Sequence, residues 1–420
     1  MANPHRLPAS GNHGPRFFYG YIIVLCGFLV LFVALGLQYS FGIFFTPLIQ
    51  EFGWSRAVTS TAFSIGQVAA GIMGVFTGRL SDSYGPKLII LSCGIFLGLA
   101  CILMSTTNSI WQLILYIGVF LGIGVSCSFS PALSSVSRWF FQKRGLMTGI
   151  VVSGIGLGII AFPLIVNKLL TVYSWRVSFI ILGVVALVVV VVLAFFMKRD
   201  PQSVGLLPYG AEKSSPGNSL PREEGLTLSG AMRTSRFWMI CATYVIQGFA
   251  VMSIMTHIAP HAITLGIEPG SAASIISFVG IGSIVGRIVM SGTSDRISVK
   301  TSMAVNFVVL LLALLWLLKA DQVWMLYLFG GLFGFGYGGT VGLQAVLAAE
   351  MFGLASMGSL LGMLTFSVSI GGTVGPAVTG YIFDVTGSYQ IAFIIFSVLM
   401  ALGLALSLGL RPAKSQKMAG

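Results

Sequence analysis

The chain has 420 residues, of which 56% are hydrophobic and only 8% are charged, with a formal net charge of +12. A soluble domain carries about a quarter charged residues, so folding in water would leave broad apolar patches on the surface. The composition excludes a soluble globular protein and predicts an all-α integral membrane protein.

In chain order, residues 1–17 form a polar tail with Pro4, Pro8 and Pro15. No short apolar core with a small-residue cleavage site follows, so the first apolar run reads as a retained span. Apolar runs near the 20 residues needed to cross a bilayer predict spans at 18–46, 55–78, 87–106, 110–136, 145–168 and 175–197. A second set follows at 237–264, 270–292, 301–319, 322–348, 357–382 and 388–409. Between the sets lies a polar linker, 198–236, with Pro201, Pro208, Pro216 and Pro221. Its end, RTSRFW at 233–238, reads as a short interfacial helix. The expected organisation is two six-helix bundles, 18–197 and 237–409, closed by a tail at 410–420.

The distribution of cations supports this layout. With the amino end in the cytoplasm, eighteen of the 23 lysines and arginines fall on the inner side. Arg56, Lys168, Arg176 and Lys319 fall outside, and Arg287 falls within a span. An inner excess of Lys and Arg sets orientation, so both termini are expected in the cytoplasm. Topology and contact with membrane lipid account for the net charge without nucleic acid. Cys26, Cys93, Cys101, Cys127 and Cys241 lie in or beside apolar runs without disulfide or zinc spacing, and read as small buried hydrophobes.

The halves share a weak internal symmetry. GRLSDSYGPK (78–87) follows the second span and GTSDRISVK (292–300) follows the eighth. Each places a Ser-Asp pair at the inner end of the second helix of its half. Asp82 and Asp295, with Arg79 and Arg296 as available partners, can latch helices in one state and release them in another, or serve as static caps. Repeated halves are the pattern of transporters that rock about a central site. The many intrahelical glycines permit close helix approach. GFGYGG lies inside a span and lacks the strand-to-helix setting of a dinucleotide loop.

Arg287 lies in SFVGIGSIVGRIVMSGTSDR (277–296), with Ile288, Val289 and Met290 continuing the apolar run beyond it. It could snorkel to the interface, but ionisable groups within spans mostly face a cavity, a partner or a substrate. No acidic residue stands at a comparable depth in the other spans, with Asp82 and Asp295 in loops and Glu350 just past the tenth. A guanidinium without a partner suits a carboxylate, and one such cation without an intramembrane lysine points to a monocarboxylate. Residues at related depth are Tyr39, Tyr116, Ser283 (one turn before Arg287), Phe335, Tyr337 and Ser369. Each aromatic could line the substrate cavity or simply pack between helices. His257, sharing a face with His261, is a candidate for carrying a coupling proton, or for a structural role at the outer mouth. The pair lacks a third metal ligand, so no metal is expected; no cofactor is implied either, and no catalytic set marks an enzyme.

At this point the chain resembles the major facilitator superfamily, in particular the monocarboxylate transporter family and its bacterial lactate transporter-like members, related to the oxalate/formate-type exchangers. The resemblance covers all twelve spans. It rests on FFYGYIIV (17–24), YSFGIFFTPLIQEFGWSRA (39–57), GRLSDSYGPK, SRWFFQKRGLMTGIVVSGIGLG (137–158), VGRIVMSGTSDR (285–296) and GPAVTGYIFDVTGSY (375–389). The resemblance implies a bacterial inner-membrane carrier of lactate, pyruvate or other short monocarboxylates, moved with a proton, with Arg287 as the family arginine. Several relatives carry an acidic residue one turn earlier, where this chain has Ser283. The lysine of animal members in the outer first helix is absent from GLQYSFG, and the eleventh-helix lysine of oxalate exchangers is absent from TFSVSIGG (365–372).

The expected function is proton-coupled symport of a short monocarboxylate by alternating access, in a monomer. Anion exchange without a proton, or a non-cycling receptor for a small organic acid, are the alternatives. Short outer loops offer no docking surface for an accessory subunit.

Overall fold

The computed structural model describes residues 18–54, 56–211 and 225–410. The tail 1–17, the middle of the linker with Pro216 and Pro221, and residues 411–420 lie outside them. Arg6, Arg16, Lys213, Arg222, Arg411, Lys414 and Lys417, counted above as inner cations, fall in those segments.

Twelve long helices occur among the described residues. The first six are α1 (Gly20–Phe44), α2 (Arg56–Tyr84), α3 (Pro86–Met104), α4 (Ile110–Trp139), α5 (Arg144–Val172) and α6 (Trp175–Phe196). The second six are α7 (Ser235–Thr264), α8 (Pro269–Ser294), α9 (Val299–Leu317), α10 (Val323–Phe352), α11 (Met357–Thr386) and α12 (Gln390–Gly409). Eleven are apolar and long enough to cross a bilayer, judged over the described residues, and α2 is 29 residues long. At 1.5 Å per residue, helices of this size reach about 28–45 Å, enough for a hydrocarbon core of about 30 Å. The chain is a multi-pass membrane protein.

Local sequence explains where the helices begin and end. Ser174, Thr234 and Ser298 accept backbone N–H bonds at the starts of α6, α7 and α9, as capping residues do. Pro86 and Pro269 open α3 and α8, where the missing N–H costs nothing. The outward faces of α6, α9 and α12 carry exposed Val188, Val192, Leu312, Leu315, Val398 and Leu402. Such a girdle is unfavourable in water and suited to lipid.

Helix pairing shows the internal two-fold pattern. In the first half α1 packs on α5, α2 on α4, and α3 on α6; in the second, α7 packs on α11, α8 on α10, and α9 on α12. The halves meet where α2 lies along α11 and α5 lies along α8. Gly78 faces the backbone of Gly358, and Gly74 that of Gly362, so closely that a Cβ at Gly78 or Gly362 would strike it. These contacts sit toward the end where residue 18 enters and residue 410 leaves, here the terminal end.

Three expectations are corrected. Asp82 lies inside α2, which continues past its apolar run because that carboxylate finds partners in the other half. Glu350 lies within α10, whereas Asp295 stands in the turn that caps α8, outside the helix as expected. The short helix ahead of α7 is Leu228–Met232, capped by Thr227, rather than RTSRFW. The linker is anchored at both described ends. Tyr209 exchanges backbone bonds with Trp139, Phe141 and Gln142, and the Leu226 N–H donates to the Phe352 carbonyl.

Candidate functional site

Between the halves lies a cavity of about 150 Å³. Tyr39, Tyr337 and Ser369, all anticipated from sequence, line it. Gln38, Gln67, Gln247 and Gln344, from α1, α2, α7 and α10, also line it and were not anticipated. The Gln38 amide donates to the Gln67 carbonyl at 2.6 Å, and the Gln247 amide to Thr340 Oγ1 at 2.7 Å. A polar residue in a span is costly wherever it is unused. The rule that singled out Arg287 would have found these four had it been applied to amides as well as charges.

Arg287 is fully buried and stands behind this wall. Its Nη1 donates to Ser283 Oγ at 3.0 Å, and its guanidinium carbon lies 5.3 Å from the centre of the Tyr337 ring. Tyr39 is near enough to interact electrostatically with it, and the Tyr337 hydroxyl is near enough for a loose hydrogen bond. Nε and Nη2 nevertheless have no hydrogen-bond partner of good geometry among the described residues, and no carboxylate pairs with the cation there. Burying a charge so incompletely satisfied costs several kcal/mol, of order 3–5 when a partner is missing.

The backbone explains how the arginine fits at the seam between halves. Gly149 on α5 faces the Arg287 carbonyl, and a Cβ at Gly156 would stand 2.6 Å from Nη1. On the other side, Gly338 and Gly342 of α10 face the Ser283 carbonyl and the Ser291 hydroxyl. Any larger residue at Gly156 would displace the guanidinium. Arg287 is thus held where α8 would part from α5 if the halves rocked.

The remaining anticipated residues fall elsewhere. Tyr116 and Phe335 do not line the cavity; the Phe335 backbone instead receives Gly286 of α8. His257 Nε2 lies 3.0 Å from the Pro376 carbonyl oxygen, which can only accept, and its ring packs 5.5 Å from Tyr389. It faces α11 and the start of α12, away from the cavity.

At the terminal end the two aspartates each reach into the opposite half. Asp82 accepts from the backbone N–H groups of Gly358 and Ser359 at 2.9 and 2.8 Å, and from Ser359 Oγ at 2.9 Å. Asp295 accepts from the N–H groups of Gly145 and Leu146 at 2.7 and 2.9 Å. Each carboxylate thereby satisfies orphan amides in the first turn of the fifth helix of the other half. Asp82's cation is Arg138, at 3.3 Å, which also donates to the Leu354 carbonyl. Arg79 and Arg296, expected as partners, are exposed; Arg296 is adjacent to Asp295, and neighbours in sequence do not share a helix face.

The family model described as "Major Facilitator Superfamily" matches residues 27–318 and 240–419. The chain belongs to the major facilitator superfamily. It is 27% identical over 401 residues to "Monocarboxylate transporter 13" of Bos taurus, covering 92% of this chain and 88% of that one. It is 27% identical over 355 residues to "Uncharacterized MFS-type transporter YhjX" of Escherichia coli (strain K12), covering 83% and 85%. Among solved structures it resembles the E. coli fucose:proton symporter FucP, with TM-score 0.67 at 15% identity over 93% of this chain and 98% of that one. The proton:xylose symporter XylE matches with TM-score 0.70 at 13% identity, over 92% and 94%. At those identities the likeness shows the fold, and it agrees with the pairing of halves described above. Within this superfamily, a chain of twelve such helices is a transporter.

Proposed function

We propose that this transporter moves short monocarboxylate anions such as L-lactate or pyruvate by alternating access, with Arg287 as the counter-charge and a proton as co-substrate. The observation that carries the reading is the buried guanidinium, two of whose nitrogens have no hydrogen-bond partner of good geometry among the described residues, set beside a cavity whose lining holds no charged residue. An incoming carboxylate supplies the missing acceptors in bidentate geometry. Tyr39 and Tyr337 stand between cavity and cation, so they must turn aside as the anion docks. Relatives named as monocarboxylate transporters support the substrate class.

In this reading the terminal end is cytoplasmic, on the strength of the cation distribution. The latched aspartates then close the inner side, the membrane is a bacterial inner membrane, and the working unit is a monomer without enzymatic chemistry. The cavity lining contains neither carboxylate nor histidine, and this favours a proton carried on the substrate's own carboxyl group. The same feature suits anion exchange without a proton, which the experiment below separates.

Uptake of labelled L-lactate into proteoliposomes, with and without an inside-alkaline gradient, is the test. The parent should accumulate lactate with the gradient, and Arg287→Ala should lose at least about 30-fold in apparent affinity, as removal of one partner of a buried charge pair costs about 2–5 kcal/mol. Uptake that requires an internal anion and ignores the gradient would favour exchange. Undiminished uptake by Arg287→Ala would remove the arginine from the site.

A further inference from the structure

We propose that Gln247 makes this transporter select 2-hydroxy over 2-oxo monocarboxylates, by accepting a hydrogen bond from the substrate's hydroxyl group. The inference rests on the monocarboxylate reading above and assigns the second contact of the same site.

Thr340 lies one turn beyond Tyr337 on α10. Its Oγ1 lies 3.0 Å from the Gly336 carbonyl oxygen and 2.8 Å from that of Tyr337. The single hydroxyl proton is engaged by those carbonyls, as Thr within a helix commonly bonds back along it. Oγ1 must therefore accept from Gln247, and the 2.7 Å contact is a donation from Nε2. Turning the amide over would place two N–H groups where one oxygen now stands, leaving both without that acceptor. Tyr244, itself buried, donates to the Thr340 carbonyl at 3.3 Å and ties α7 to the same turn of α10.

The orientation so fixed has a consequence for Oε1. Gln247 lines the cavity yet is only 2% exposed, and its carbonyl oxygen has no donor among the described residues. Of the four cavity glutamines it alone has a buried, unpartnered side-chain oxygen among the described residues. A rigid acceptor without a donor calls for a ligand that brings an O–H group. The Arg287 guanidinium sits against Tyr337 and the Gln247 amide against Thr340, and residues three apart on a helix have Cβ atoms about 5–6 Å apart. In the proposed pose the carboxylate docks on the guanidinium and the hydroxyl of its neighbouring carbon turns to the amide. A 2-oxo group offers only lone pairs at this position. It would leave Oε1 unpaired and set two acceptors against each other, and sites built around a buried polar partner discriminate strongly in this way.

The test measures kcat/KM for each lactate enantiomer and for pyruvate in proteoliposomes of the full-length protein. It compares the parent with Gln247→Met, which keeps length without the acceptor, and Thr340→Val, which removes the group that orients the amide. For the preferred enantiomer the parent should favour lactate over pyruvate by about 5- to 150-fold, the range expected for one unsatisfied buried acceptor. The ratio should fall toward one in both variants. Should Gln247→Met fail to purify as a monodisperse protein, Thr340→Val carries the comparison. A parent ratio near or below one, or a ratio retained in the folded variants, overturns the inference alone. Failure of the folded parent to transport any of the three acids overturns the monocarboxylate reading and this inference with it.

Discussion

Asp82 and Asp295 perform one task in opposite halves with unequal means. Both sit at the terminal end of the second helix of their half, and both close over the second and third amides of a partner helix. Asp82 adds the Ser359 hydroxyl and the buried Arg138, whereas the exposed Asp295 has its two amide bonds and, among the described residues, only a longer-range attraction to Arg144. The two-fold pattern of the bundle sets where the halves are held; the side chains around each carboxylate set how firmly. The Arg287 seam differs from both, for there the polar groups are left unsatisfied. In the proposed function, completed bonds hold a conformation and the incomplete ones at Arg287 receive the substrate.

The comparison breaks if the two latches contribute equally. Asp82→Asn turns one carboxylate oxygen into a donor facing other donors and removes the charge beside Arg138. Hydrogen bonds to charged groups contribute about 1.5–3 kcal/mol, so the closed state should lose about 10- to 150-fold against the open one. Spin labels at Tyr84→Cys and Ala355→Cys, on facing segments of the two halves, report the separation, and all five native cysteines are buried. A longer-distance population should emerge in Asp82→Asn, and an unchanged distribution would show that this carboxylate does not latch the halves. Asp295→Asn, losing charge against two helix-end amides, should shift the same equilibrium less, by about 2- to 30-fold, the equivalent of the 0.5–2 kcal/mol of a helix cap. A shift as large as that of Asp82→Asn would refute the asymmetry.

The fold was largely legible because a bilayer leaves the chain few options: long apolar runs become helices, and their count gives the bundle. Arg287 stood out for the same reason, since a charge in such a run is too costly to be incidental. The four glutamines are equally visible in the sequence, but amides carry no charge and so give a weaker signal within an apolar run. Other features depended on which faces meet. Arg138 lies 56 residues from Asp82, and no local spacing announces that pairing. Gly149 and Gly156 resemble every other glycine in α5 until the register against α8 places Arg287 over them. His257 shows the converse. Helical periodicity fixes its face without saying which neighbour covers it; His257 meets Pro376 of α11 and does not line the cavity.

A third carboxylate serves as the control for this comparison. Glu51, in the short helix Phe45–Phe52 beyond α1 at the end opposite the latches, accepts from Trp175 Nε1 at 2.6 Å and from Arg176. Arg176 stacks over the Trp175 ring at 4.2 Å and donates to Thr107 and Asn108. All of these residues belong to the first half, so the cluster braces that half without bridging the two. The Trp175 bond, followed by that of Arg176, holds the Glu51 carboxyl below its ordinary value of 4.5. A carboxylate with a depressed pKa adds stability that is present above the ordinary value and is lost as the pH falls through the depressed one. The parent should therefore melt slightly above Glu51→Gln near neutral pH, and the gap should narrow as the pH is lowered from 4.5 through the depressed pKa. The group is exposed, so the effect should be the smallest of the series. Thermal unfolding across pH measures it, and a gap that stays constant through acid would show that the carboxylate is not the group responsible. The spin-label distances at the latches should not move in Glu51→Gln, since a carboxylate that joins elements of one half has no differential contact with which to bias the rocking of two.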